Sequence, residues 1–421
     1  MTVTLDKDAP EPGTPADEEL PPQKAGFGRR LVNLYLYGNP VVVTILAFFV
    51  ALVVGAILIA VADQPTRKSM GYFFQHPSDT FSKGWHAVSA AYSALFRGSI
   101  FNPDSLYSNG GTPVFGPISD TLLNATPLIM GGLAVAVAFR AGLFNIGVQG
   151  QLIAGAIAAG YVGFHFSMPN GIHLFVALLA GIAGGAIWGS LVGILKAKTG
   201  AHEVITTIML NYVALGLLTY LLGVKGFQRP GANDAQTALV HSSARLPHLF
   251  EDLHAGIFLA IAAAVVCWWL LSRSTLGFRL RAVGANSAAA RTAGIKIDRN
   301  YIIVMVISGA LAGLVGCSQA LGTRLKLTPD IDDGLGFDAI TVALLGRGSP
   351  LGTVFAGLLF GAFRAGSVVM SVETTTPSDI VSVLEPLIVL FIAAPALIRG
   401  LFRLRASRGG SAAQLAKGWN G

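Results

Sequence analysis

The sequence predicts an all-α, polytopic membrane protein with about ten transmembrane helices, on three observations. The 421-residue chain is 53% hydrophobic and only 12% charged, about half the charged share usual in soluble domains. Several apolar runs reach the ~20 residues that a helix needs to cross a bilayer. Those runs are continuous rather than alternating, which argues against a transmembrane β-barrel.

Residues 1–39 read as a polar tail, disordered over its proline- and acid-rich part (Asp6, Asp8, Glu11, Asp17, Glu18, Glu19). The tail neither starts basic nor reaches an apolar stretch early, so the first run, 40–62, reads as an uncleaved anchor rather than a signal peptide. The segment 63–117 reads as external, with a mildly amphipathic part near 81–101 and a turn-rich end, "NPDSLYSNGGTP". Further spans fall at 118–139, 147–168, 172–195, 204–224, 254–272, 301–322, 350–371 and 380–398. The stretch 336–347, "GFDAITVALLGR", is apolar but short for a crossing. A tail at 401–421 closes the chain.

The net charge of +7 reports orientation rather than nucleic-acid binding, because the basic residues flank apolar runs. The segment 273–299 holds Arg273, Arg279, Arg281, Arg291, Lys296 and Arg299 against Asp298 alone, and is the strongest cytoplasmic signal. Arg140, Lys196, Lys198 and the arginines of 399–408 then fall on the same side. Both termini are cytoplasmic only if 336–347 counts as a short or re-entrant tenth span.

Gly181, Gly185, Gly189 and Gly193 recur on one helix face, and Gly309/Gly313 and Gly357/Gly361 repeat the small-xxx-small pattern. Ordinary packing within the chain is the expected use. Cys267 and Cys317 sit in separate apolar runs without metal-type spacing and are expected as buried small hydrophobes. No phosphate loop, HExxH or GxSxG motif is present, so ATP hydrolysis by the usual route and common hydrolytic chemistries have no residues to carry them. No metal and no cofactor are expected.

The stretch "FNIGVQGQ" (144–151) puts three amides and two glycines between two apolar runs. Backbone may leave the helix inside a membrane only where it is buried in protein or lines a cavity, and transporters build solute sites from such breaks. Asn145, Gln149 and Gln151 can donate and accept hydrogen bonds without net charge, which suits a neutral polar solute. They can equally tie helix ends to neighbouring backbone, and the two readings stay open. Asn211 and Asp338 are further pathway candidates, and Glu203 is placed to favour its helix dipole. Arg364 and Glu385 lie within the last two spans and are expected to pair, since charges in a bilayer are usually compensated.

The segment "SRSTLGFRLRAVGANSAAARTAGIKIDRN" (272–300) reads as basic residues, then Gly284, then a short alanine-rich helix capped by Asn286 or Ser287 and stopped by Gly294. Such a rigid knob can transmit force from a partner. Its core, "TLGFRLRAVGANSAAARTAGI", resembles the coupling segment of bacterial ABC importer permeases of the branched-chain amino acid, simple-sugar and nucleoside superfamily. "ATPLIMGGLAVAVAFRAGLFNIGVQGQLIAGA" (125–156), "EVITTIMLNYVA" (203–214) and "GFDAITVALLGRGSPLGTVFAGLLFGAF" (336–363) resemble its nucleoside-type branch. The resemblance covers about 118–400. The extra N-terminal span resembles the longer of two permease subunits.

The resemblance implies a transmembrane domain at 118–400 in the bacterial plasma membrane. Its implied partners are a separate ATPase, a second and shorter permease forming a heterodimer, a substrate-binding lipoprotein, and a nucleoside as solute. It places ATPase contact on Gly284, Asn286, Ala289, Ala290, Arg291 and Gly294. The Ala288–Ala290 stretch lacks the acidic residue of the superfamily's EAA loop, so no ion pair to the ATPase follows. Sugar-type relatives carry a "GGIDLSVG"-like stretch where this chain has "FNIGVQGQ". A sugar or branched-chain amino acid permease is the alternative. An ion-coupled carrier would have to use Asp338 or Glu385, and a structural scaffold would leave the knob without a role.

Overall fold

Long apolar runs become helices because a backbone facing lipid must satisfy its polar groups internally. The computed structural model describes residues 40–102, 116–231, 234–374 and 379–402, without the side chains of 40–44, 385, 389, 392, 393, 395, 396 and 399. The expected tails at 1–39 and 403–421 lie outside these residues, as does the turn-rich part at 103–115.

In chain order the helices are α1 (Pro40–Ala62), α2 (Gln64–Met70), α3 (Pro77–Ser99), α4 (Gly116–Arg140), α5 (Val148–His165), α6 (Ile172–Thr199), α7 (Glu203–Leu222) and α8 (Gly256–Arg273). They continue as α9 (Thr275–Ala285), α10 (Ser287–Thr292), α11 (Ile297–Ser318), α12 (Leu335–Leu345), α13 (Pro350–Glu373), α14 (Asp379–Ala393) and α15 (Pro395–Leu401). A π-turn, Gln319–Thr323, extends α11, and a two-stranded hairpin, His248–Phe250 with Leu253–His254, precedes α8.

Among the described residues, seven helices are long and apolar enough to cross a membrane: α1, α4, α6, α7, α8, the α11–π unit and α13. Of the remaining expected spans, α5 starts with Gln149 and Gln151, α12 has 11 residues and α14 has 15. At 1.5 Å per residue α12 spans about 16 Å, half the hydrocarbon thickness.

Helix α4 is the mast of the bundle. Its residues 125–138 are buried without interruption, against α11, α12, α13 and α8. The spaced glycines close the α6–α11 pair within the chain, as expected. A Cβ on Gly185 would land on the Gly309 carbonyl, and one on Gly313 would land on the Gly181 carbonyl. Only glycine lets the two backbones come this close. Helices α1, α3 and α14 form a second apolar cluster beside α13, around Ala51, Ala91, Phe363 and Leu384. Cys267 and Cys317 are both free and buried.

At the end of the bundle away from Arg140, the segment after α7 clamps the stretch that leaves the π-turn. Val240 N donates to the Leu325 carbonyl (2.9 Å), and Thr237 N donates to that of Leu327 (3.1 Å). His254 is fully buried there: its Nδ1 accepts from Gly256 N (3.1 Å), and its Nε2 meets Thr323 Oγ1 (3.2 Å).

Candidate functional site

Helix α4 ends at Arg140, and α5 does not begin until Val148. The link turns at Gly142, whose φ of +76° suits glycine. It then runs, without helix, back into the bundle. Asn145 fixes its depth: Nδ2 donates to Ser308 Oγ (2.7 Å), and Ser308 Oγ donates to the Ala134 carbonyl (2.7 Å). Ser308 lies about three turns into α11, so α5 starts inside the bundle.

The amides of the link are largely spent on holding it. Asn145 and Gln151 are fully buried. Asn145 Nδ2 also donates to Gln151 Oε1 (3.0 Å), and Asn145 Oδ1 accepts from Gly147 N (2.8 Å). From α7, Asn211 bolts both sides of the break: Nδ2 donates to the Ile146 carbonyl (3.0 Å), and Oδ1 accepts from Gly150 N (2.8 Å). Buried backbone groups left by the missing turn are thus satisfied by side chains, as a break in a bilayer requires.

Gln149 differs, being half-buried. Its Nε2 donates to Asp332 Oδ2 (2.7 Å). Asp332 belongs to the stretch 324–334, which descends from the π-turn to α12. A Cβ on Gly336, in the first turn of α12, would meet the Cα and Cβ of Gln149. The N-termini of α5 and of the half-length α12 therefore meet inside the bundle. Their dipoles turn a partial positive charge toward that junction.

Arg364 of α13 closes the same region. Its guanidinium pairs with Asp338 (2.6 Å) and Asp333 (3.2 Å) and donates to the Asp333 carbonyl (2.8 Å). Arg324 reaches Asp333 (3.5 Å) from the other side. The expected partner, Glu385, has its side chain outside the described ones; among the described carboxylates Arg364 pairs with Asp338 and Asp333.

The knob holds the alanine-rich helix expected after Asn286, as α10, and a further helix, α9, before it. Ser274 opens α9 by accepting from Gly277 N (2.9 Å), just before the basic run. Asn286 caps α10, accepting from Ala289 N (3.0 Å), and Gly294, at φ +82°, lies just past its end. Ala290 points inward with Val283 and Ile297, whereas Ala289 and Arg291 are exposed. Phe278, Ala282, Ala289 and Ala293 line an open groove between the two helices. Gly284 faces the other way: a Cβ there would meet the Arg140 carbonyl and Gly142 N.

Broken helices meeting within an apolar bundle, beside a capped surface knob, are transporter architecture. The sequence matches the family described as branched-chain amino acid transport system, permease component, over residues 118–394. The chain belongs to this family. Among its relatives are a guanosine ABC transporter permease of Bacillus subtilis, 41% identical over 75% of this chain and 88% of the relative. A nucleoside ABC transporter permease of Lactococcus lactis is 36% identical over 67% of this chain and 80% of its own. A glucose ABC transporter permease of Haloferax volcanii is 36% identical over 67% of this chain and 77% of its own. No solved structure matches.

In this permease the amide-rich stretch and "GFDAITVALLG" do come together, through Gln149 and Gly336. Ser308, Asp332, Asp333 and Arg324 complete the junction and escape a reading of the sequence. For Ser308 nothing marks it among the small residues of α11. The acids had a signal, because "PDIDDG" (329–334) is the densest acidic cluster in the apolar half of the permease.

Proposed function

We propose that the chain forms the translocation pathway of an ATP-driven importer of nucleosides, with the Arg140 end and both termini in the cytoplasm. A separate ATPase engages the α9–α10 knob, a second permease completes the pathway, and an extracytoplasmic binding lipoprotein delivers the solute. The carrying observation is the meeting of the α5 and α12 N-termini at Gln149 and Gly336. Half-helix ends at the centre of a bundle are where transporters bind their solutes.

The chemistry there suits an uncharged polar solute. The carboxylates of Asp333 and Asp338 are occupied by Arg364, and that of Asp332 by Gln149. Gln149 Oε1 has no donor among the described residues and can accept from a solute N–H or O–H. Asn145, Gln151 and Asn211, candidates for solute contact, fit a supporting role that holds the break open. Asp338 sits behind Arg364 as the residue that keeps the guanidinium in place. Basic residues gathered on the Arg140 end support its cytoplasmic orientation. The names of the guanosine and nucleoside permeases favour nucleosides; the glucose permease favours a sugar as the second reading.

Uptake of labelled guanosine, adenosine, glucose and leucine by cells lacking the chain separates these readings. Loss of nucleoside uptake with sugar and amino acid uptake intact is expected. Intact nucleoside uptake with lost glucose uptake would replace the solute.

A further inference from the structure

The outward faces of the long helices differ in chemistry. On α1, α6 and α8 the exposed side chains along the span are carbon-rich, as in Ile45, Phe49, Phe175, Ile187, Ile261 and Val265. Helix α7 likewise exposes Ile205, Met209, Val213 and Leu217, but sets two phenols among them. Tyr212 is 69% exposed and Tyr220 is 70% exposed, and Gly216 lies between them on the same face. A Cβ on Gly216 would have no atom within 4 Å, so the two phenols border an open notch. Eight residues of helix separate the rings by about 12 Å.

Tyr220 stands two residues from the end of α7, where a tyrosine suits the membrane–water interface. Tyr212 does not fit that role. It sits in the middle of the 20-residue helix, beside Asn211, whose bonds to Ile146 and Gly150 place it level with the broken link. No hydrogen bond engages the Tyr212 hydroxyl among the described residues. Hydrocarbon offers that hydroxyl nothing, and unsatisfied polar groups in lipid are disfavoured. Asn211 also fixes the rotation of α7, since its two bonds turn it inward and Tyr212 outward.

Resting on the nucleoside reading above, we propose that the Tyr212–Gly216–Tyr220 face of α7 lines the water-filled translocation pathway. Tyr212 there stacks on the planar base of the passing nucleoside, and its hydroxyl hydrogen-bonds the solute or water. An aromatic ring accepts any base on its face, so the contact selects for an aromatic heterocycle rather than for one base. Tyr212 is then a specificity residue.

The test uses the whole transporter in cells, with Cys267→Ala and Cys317→Ala removing the two native thiols. Single cysteines replace Tyr212, Gly216 or Tyr220, and Ile261→Cys and Val265→Cys report the apolar middle of α8. A charged, membrane-impermeant methanethiosulfonate is the probe. Positions 212 and 216 should react at least tenfold faster than 261 and 265, and saturating guanosine should slow them severalfold. In the otherwise native chain, Tyr212→Ala should raise the KM for nucleoside uptake about tenfold, with Tyr212→Phe in between. Reaction at 212 and 216 no faster than at 261 and 265 would overturn the proposal, whether lipid or a dry subunit contact covers the face. Fast labelling slowed by glucose or leucine but not by nucleosides would keep the face in the pathway and overturn the base contact together with the nucleoside reading. Gly216→Cys, which meets no neighbour, keeps the test decisive if a tyrosine variant fails to fold.

Discussion

Gly142 and Gly284 lie backbone to backbone: a Cβ on Gly142 would be 3.0 Å from the Cα of Gly284, and one on Gly284 would be 2.8 Å from Gly142 N. The contact joins the α9–α10 knob to the turn from which the broken link rises. Three residues later the link reaches Asn145, and four more bring it to Gln149 at the junction of α5 and α12. A push on the knob thus reaches the centre of the bundle through tightly packed backbone, with no flexible side chain in between. Close-packed interiors transmit such strain rather than absorb it.

Substituting Gly284 should therefore uncouple before it unfolds. With Gly284→Ala the added methyl displaces α9 from residues 140–142 by a few tenths of an ångström or more. Solute uptake is expected to fall at least tenfold while ATP hydrolysis by the assembled complex changes less than twofold. Parallel losses of both activities would show that the contact serves assembly alone.

The Asn145–Gln151 pair should prove structural. Asn145→Ala removes bonds to Ser308, Gln151 and Gly147 N and leaves buried partners unsatisfied, at about 1–3 kcal/mol per stranded group. Thermal unfolding of the purified protein should show a clear loss of stability. Gln151→Leu should cost less, and the double variant less than the sum of the two, because the residues share two bonds, Asn145 Nδ2 to Gln151 Oε1 and Gln151 Nε2 to Asn145 Oδ1. Full additivity would mean that they do not interact.

Arg364 should couple to Asp338. Removing the arginine strands a partly buried carboxylate, with an expected loss of about 3 kcal/mol. Arg364→Met and Asp338→Asn should each reduce the folded, assembled fraction, and the pair together should recover part of the loss. A double variant as poor as the worse single one would place the Arg364 charge with another partner.

His254 should make the permease sensitive to acid. Burial pushes its imidazole down to about 4, and the neighbouring His248 adds to the effect. A histidine neutral in the folded state contributes stability above its unfolded value of about 6.5, and loses it progressively as pH falls toward 4. The melting temperature should therefore drop between pH 7 and pH 5, and drop less in His254→Asn, which cannot take up that proton. Equal drops in both proteins would assign the sensitivity elsewhere.

How far the sequence predicted this differs between elements for physical reasons. Helix α4 was expected at 118–139 and runs Gly116–Arg140, because a continuous apolar run closed by a basic residue has few alternatives in a bilayer. The glycine rows of α6 and α11 announced close packing within the chain, though not which helix would meet which. The break announced itself by its amides, but their partners come from long range: Ser308 and Asp332 lie 163 and 183 residues from the groups they bond. No periodicity within one segment can reveal such pairs. Helix α9 was hidden because a basic run beside an apolar span reads equally as loop, and only the Ser274 cap decides for a helix. The outward turn of Tyr212, next to an inward Asn211, likewise depends on which face of α7 meets the link.

The most direct test is uptake into proteoliposomes holding this chain with its ATPase, its second permease and the binding protein. Labelled guanosine should accumulate only with ATP on the knob side, and Gly284→Ala should abolish accumulation while hydrolysis continues. Accumulation without ATP, driven by an imposed ion gradient, would contradict an ATP-driven importer.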